Sequence, residues 1–65
     1  MNIVLNGAPC ATNATHLAEA LSQLGYADAV VATAVNGCFI PEDARADHLI
    51  KPGDQIEVLA PMQGG

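Results

Sequence analysis

Large side chains are scarce in this sequence. Its 65 residues include one Phe, one Tyr and no Trp. Hydrophobic types make up 51% of the chain, but 12 of those residues are Ala, which buries little surface. Leu, Ile, Val and Phe together number 16. A core that thin lies near the lower limit for independent folding. It leaves room for one domain, and little room for the enclosed pocket of roughly 300–1,000 Å³ that a small-molecule site usually needs. A half-hydrophobic chain with 14% charged residues is equally unlike a disordered segment.

Basic residues are almost absent. Seven acidic residues stand against Lys51 and Arg45, for a net charge of −5. Nucleic acid is bound by Lys and Arg neutralising phosphates, so it is excluded as a partner. An anionic membrane surface would repel the chain as well. The natural complement is a basic protein surface, unless the acidity only maintains solubility. Two cysteines, Cys10 and Cys38, are far from the density of a secreted mini-protein. They form no Cys-x-x-Cys motif and read as small apolar residues. Their spacings with His16 and His48 match no zinc pattern, so no metal site is expected. No apolar run approaches the roughly 20 residues that cross a bilayer. Met1–Gly7 lacks the basic start and apolar run of a signal peptide. The expectation is a soluble, cytoplasmic protein, monomeric on its own.

Two periodicities divide the chain. Met1, Ile3 and Leu5 alternate with Asn2, Val4 and Asn6, as in a strand. Asn6-Gly7 is a hairpin signal, because both residues tolerate positive φ. Pro9 confines the returning strand, residues 8–12, to an edge. Thr12, Asn13 and Thr15 are candidate helix caps. Leu17, Ala20, Leu21 and Leu24 then recur at helical spacing, and Gly25 ends the helix. Residues 29–35 are rich in β-branched side chains and predict a strand. Its inward face is open between Val31 with Val35 and Val30 with Ala32 and Ala34. A second Asn-Gly turn at Asn36-Gly37 leads into Cys38-Phe39-Ile40, which Pro41 ends. Residues 42–48 are polar, with one irregular helical turn, while His16 is expected to be exposed in the first turn of the main helix. Leu49 and Ile50 re-enter the core. Lys51-Pro52-Gly53-Asp54 is a tight turn, and residues 55–59 form the last strand.

The predicted class is α+β, in the order ββαβββ, with one main helix on one face of a mixed sheet. The first and last strands would pair centrally and in parallel, because the helix supplies the crossover. That is the β-grasp arrangement of ubiquitin-like domains. Residues 1–59 form the domain and residues 60–65 a flexible tail, Ala-Pro-Met-Gln-Gly-Gly. Gly-Gly arises by chance at a given position in roughly one chain in 200. Two residues without side chains can thread a slot closed to any other residue. The tail reaches at most roughly 20 Å, enough to carry a Gly65 carboxylate from the domain into a partner's active site. Gly64, Gln63 and Met62 would thread that slot.

On these residues the chain resembles the thiamin-pathway sulfur carriers, the ThiS family within the ThiS/MoaD-like β-grasp group. The resemblance runs through Thr15, Val31–Gly37, Pro41, Leu49, Gly53-Asp54-Gln55-Ile56-Glu57 and Gly64-Gly65. Many relatives carry a basic residue after the proline and a Trp a few residues later, whereas here Glu42 follows Pro41 and residues 44–47 contain no aromatic. The resemblance implies a protein cosubstrate rather than an enzyme, with no bound cofactor. An E1-like adenylating enzyme (ThiF) would use ATP to activate Gly65. A cysteine desulfurase or rhodanese-type donor would supply sulfur. Thiazole synthase (ThiG) would use the resulting thiocarboxylate to build the thiazole of thiamin. Val4, Phe39 and Leu59 are the candidate docking patch, on the sheet face away from the helix. Glu42, Asp43 and Asp47 are either a second contact for a basic partner or a solvated loop. Two alternatives are a sulfur carrier for molybdopterin synthesis and a ubiquitin-like binding module with an incidental tail.

Overall fold

A computed structural model of the chain describes residues 1–27 and 29–60; Asp28 and the segment 61–65 lie outside them. Strands β1 (Asn2–Leu5) and β2 (Ala8–Ala11) form a hairpin, followed by helix α1 (Leu17–Gln23). Strands β3 (Ala32–Val35) and β4 (Cys38–Ile40) form a second hairpin. A 3-10 helix, Glu42–Asp47, then leads to β5 (Gln55–Leu59). The sheet order is β2-β1-β5-β3-β4. β5 lies at its centre, parallel to β1 and antiparallel to β3. This is the expected β-grasp, with α1 as the crossover and the Pro9-bearing strand at an edge.

Both hairpins turn on the same chemistry. Asn6 and Gly7 have φ of 49° and 83°, and Asn36 and Gly37 have 52° and 84°. Positive φ at both central residues is the type I′ turn, whose twist matches the strands it joins. At the third turn, Asp54 N–H donates to Lys51 O, with Gly53 at φ 86°. Pro52 then Gly53 is the type II arrangement.

α1 ends in a Schellman motif. Gly25 N–H donates to Ser22 O and Tyr26 N–H to Leu21 O, with Gly25 at φ 91°. Such closure satisfies carbonyls that the helix leaves open. The helix start differs from expectation. The N-cap is His16, which makes no side-chain capping bond. Thr12 Oγ1 instead accepts from Ala14 N–H in the preceding loop. Thr15 N–H and Oγ1 donate to Glu19, which folds back from the first turn. The Thr15 N–H bond leads the contributions that hold the Glu19 carboxyl below its ordinary pKa.

His16 is half-buried rather than exposed, because its backbone bridges Leu49. Leu17 N–H donates to His48 O and Ile50 N–H to Thr15 O, strapping residues 48–50 to the helix entry. Ile50 enters the core as expected, but Leu49 is 61% exposed. Neighbours on such an extended strap point to opposite sides.

The helix packs Leu17, Ala20 and Leu21 against Ile3, Ile56, Val58, Val35 and Ile50, with Ala14 closing the cluster. β3 is shorter than predicted, beginning at Ala32. Its inward face is settled by pairing with β5, because Val35 is opposite Ile56 and Thr33 opposite Val58. Thr33 is only 2% exposed. Its hydroxyl donates to Ile40 O and accepts from Arg45 Nε, while Arg45 Nη2 donates to Val31 O. Arg45 thereby clamps the 3-10 helix to β3 and satisfies a buried polar group that would otherwise destabilise the core.

Asp54 closes a second polar set, accepting from Lys51 N–H and Asn36 Nδ2. Asn36 Oδ1 in turn accepts from Gln55 N–H. Burial nudges the Asp54 carboxyl upward, but these bonds and the Lys51 and His48 charges outweigh it, leaving the pKa below its ordinary value. A depressed carboxyl pKa contributes stability above the unfolded-state value and loses it as pH falls through the folded-state value. Asp54→Asn should therefore lower the urea midpoint at pH 7, and the gap to wild type should shrink below about pH 4. Arg45→Met keeps the aliphatic stem and removes the donors. It should cost about 1–3 kcal/mol, read from urea unfolding.

Candidate functional site

Helix α1 covers one face of the sheet, and the other face is open. β5 alternates strictly, with Ile56 and Val58 buried and Gln55, Glu57 and Leu59 exposed. The register places Val4 opposite Pro9 and Gln55. It places Ala34 opposite Phe39 and Glu57, and Leu59 opposite Ala32. Val4, Phe39 and Leu59 therefore belong to one face. Val4 and Leu59 share an open groove of about 530 Å³ with Asn6, Gly7 and Glu57. Phe39 stands across Ala34 from Glu57. Phe39 and Leu59 are 68% and 67% exposed, while Val4 is half-buried.

Sequence reasoning missed a neighbour of Leu59. Val30, 79% exposed, lines an apolar groove of about 430 Å³ with Val31, Ala32, Leu59 and Ala60. Val30 lies on the face of the 29–35 run that the sequence left undecided. Pairing with β5 was the missing signal: with Thr33 and Val35 inward, Ala32 faces outward. The two grooves meet at Leu59, the last residue of β5.

Asn6 organises this end of β5. β1 pairs with β5 through Val4 N–H to Asp54 O and Asn6 N–H to Ile56 O, both 2.9 Å. The type I′ turn then takes the chain away to β2. Beyond it, Asn6 Oδ1 accepts from Val58 N–H at 2.8 Å and Asn6 Nδ2 donates to Val58 O at 3.3 Å. The side-chain amide occupies the place of a strand.

The other candidates do not converge. Cys10 and Cys38 are both free thiols, and Cys10 packs against the core. Among the described residues no three His, Cys, Asp or Glu side chains are grouped to hold a metal. Glu42, Asp43 and Asp47 are exposed on the 3-10 helix. Among the described residues no helix is long and apolar enough to cross a membrane. Met62, Gln63, Gly64 and Gly65 lie outside the described residues.

A five-stranded mixed sheet in this order, with one helix across one face and an open opposite face, defines a ubiquitin-like β-grasp domain. A family model, that of the ThiS family, matches residues 3–65. The chain belongs to the ThiS family, and this membership supports a sulfur-carrier role. Its fold is similar to the crystal structure of a thiamine biosynthesis protein (ThiS) from Geobacter metallireducens, at 33% identity over the whole of both chains and a TM-score of 0.85. It is also similar to the solution NMR structure of a thiamine biosynthesis protein from that organism. There the identity is 32%, the TM-score 0.79, and the coverage 100% of this chain and 88% of the other. Curated proteins give no match.

Leu59 and Phe39 make little contact with the core, so the fold should not need them. Leu59→Ser and Phe39→Ser should each shift stability by less than about 0.5 kcal/mol. Chemical denaturation monitored by circular dichroism would measure it.

Proposed function

We propose that the chain carries sulfur for thiazole formation in thiamin biosynthesis, as a thiocarboxylate on Gly65. The observation that carries this reading is the ThiS family match, which runs from residue 3 through Gly64-Gly65. The structural similarity over the full length of the Geobacter metallireducens ThiS supports it.

A carboxylate resists nucleophiles because its charge is delocalised over both oxygens. An E1-like enzyme would let the Gly65 carboxylate attack the α-phosphate of ATP, expelling pyrophosphate and leaving an acyl adenylate. The terminal sulfur of a persulfide on a cysteine desulfurase or rhodanese-type donor would attack the acyl carbon and displace AMP, leaving an acyl disulfide that a thiol reductant cleaves to the thiocarboxylate, itself ending in the resulting disulfide. The resulting thiocarboxylate sulfur is the nucleophile for a carbonyl held in thiazole synthase. The chain supplies the acyl group and the grip. Its own side chains hold no proton in these steps.

Residues 60–65 act as the reach, with Met62, Gln63 and Gly64 entering the partner's slot and residues 1–59 staying outside it. Val4, Phe39 and Leu59 serve as the docking face, joined by the groove at Val30. The net charge of −5 complements basic docking surfaces on the two enzymes.

Incubating the full chain with its cognate activating enzyme, ATP and a sulfur donor should replace one oxygen with sulfur, read by intact mass spectrometry. Deleting Gly65, or adding residues after it, should abolish the change. An unchanged mass for the wild-type chain would sink the reading.

A further inference from the structure

We propose that Asn6 is a positioning residue for the C-terminal segment: its carboxamide holds the last residues of β5 in the sheet and so fixes where the chain departs after Leu59. The consequence for transfer rests on the sulfur-carrier reading. The geometry does not.

β5 is the central strand, yet β1 covers only its first half. After Asn6 N–H reaches Ile56 O, the next groups on that edge are Val58 N–H and Val58 O. A turn at Asn6-Gly7 leaves them without a strand. The primary carboxamide carries an N–H donor syn to its acceptor oxygen, so one side chain meets both groups, at 3.3 and 2.8 Å. It adds one rung to the ladder where the backbone has none to give. The opposite edge of β5 is held by β3 as far as Ala32 and Leu59. With the Asn6 rung in place, both edges of β5 are paired up to its end.

That end is the anchor of the C-terminal segment. A six-residue extension spans at most roughly 20 Å, so the place where it is anchored bounds the volume its tip can reach. Positioning to within about an ångström governs the rate of a bimolecular reaction carried out within a complex. A frayed Val58–Leu59 would present the terminal carboxylate over a wider volume, lowering the productive fraction, and would also loosen Leu59 within the docking face.

The fold contains its own control. Asn36 occupies the same position in the other type I′ turn, at φ 52° against 49° for Asn6. Its carboxamide also caps β5, but at the opposite end, accepting from Gln55 N–H at 2.9 Å. Glycine keeps either turn, since it adopts positive φ freely, so Asn6→Gly and Asn36→Gly delete matching side chains at the two ends of one strand.

The test compares the two full-length variants by amide hydrogen exchange and by thiocarboxylate formation, with the cognate activating enzyme, ATP and sulfide as sulfur source. Asn6→Gly should speed exchange at Val58 by about tenfold and leave Gln55 unchanged; Asn36→Gly should do the reverse. Below both melting temperatures, Asn6→Gly should lower kcat for sulfur incorporation by about tenfold, a larger change than any rise in KM through Leu59. Asn36→Gly should leave both at the wild-type value. Asn6→Asp, which keeps the acceptor alone, should fall between. Unaltered Val58 exchange in Asn6→Gly, or equal losses of kcat in the two glycine variants, would overturn the proposal. If the wild-type chain gains no sulfur, the carrier reading fails, and the exchange comparison alone upholds or overturns the role of Asn6.

Discussion

β5 has two edges to pair over five residues, and neither neighbouring strand runs its full length on both sides. β1 arrives in parallel and turns away after Asn6; β3 arrives antiparallel and turns away at Asn36. An unpaired peptide group in a sheet centre costs about as much as a lost hydrogen bond. Each gap is closed by the side chain of the turn's own asparagine, Asn6 at Val58 and Asn36 at Gln55. The same two residues thus supply the left-handed backbone that the hairpins need and the missing rungs of the central strand. Those two junctions complete the pairing of the strand at the centre of the order β2-β1-β5-β3-β4.

With its edges complete, a thin core suffices. Ile3, Leu17 and Ile56 are its largest fully buried apolar side chains. Ala14 and Ala20 let the helix approach the sheet where larger residues would hold it away. Thr33 enters the same interior with its hydroxyl satisfied on two sides, by Ile40 O and by Arg45. One of the chain's two basic residues is therefore occupied within the fold. Its partners there are neutral, so its charge still counts in the net of −5, and Lys51 is left as the exposed basic side chain.

The element order, the parallel central pair and the Pro9 edge were legible in the sequence because each follows from local chemistry. Asn-Gly fixes a hairpin, helical spacing fixes Leu17–Leu24 as a helix, and a helix between two strands demands a parallel crossover. The inward face of β3 was not legible. Val, Ala and Thr alternate there with nearly equal apolar character, so period alone cannot choose, and pairing with Ile56 and Val58 makes the choice. Leu49 was misplaced because a large apolar residue beside Ile50 looks like core until the strap to Thr15 and Leu17 is seen. The jobs of Asn6 and Arg45 were hidden for a different reason. Asn6 bonds a residue 52 positions away and Arg45 reaches back 12 and 14. No short-range pattern encodes such a partner.

A single exposed apolar residue carries little information, since most folded surfaces include some. The scarcity of large side chains changes the weight of the observation here. Of 16 Leu, Ile, Val and Phe residues, Val30, Phe39, Leu49 and Leu59 are left more than 60% exposed. Burying one such side chain is worth roughly 1.5–3 kcal/mol, an appreciable share of the roughly 5–15 kcal/mol that separates folded from unfolded domains. A chain selected for stability alone would have turned some of them inward. Leu59 and Val30 line one groove beside the last described residue, Ala60, and Phe39 faces the same side of the sheet. Concentrating apolar surface where the chain leaves the domain places any grip next to the segment it must aim. In that arrangement, an error in docking is amplified least along the tail.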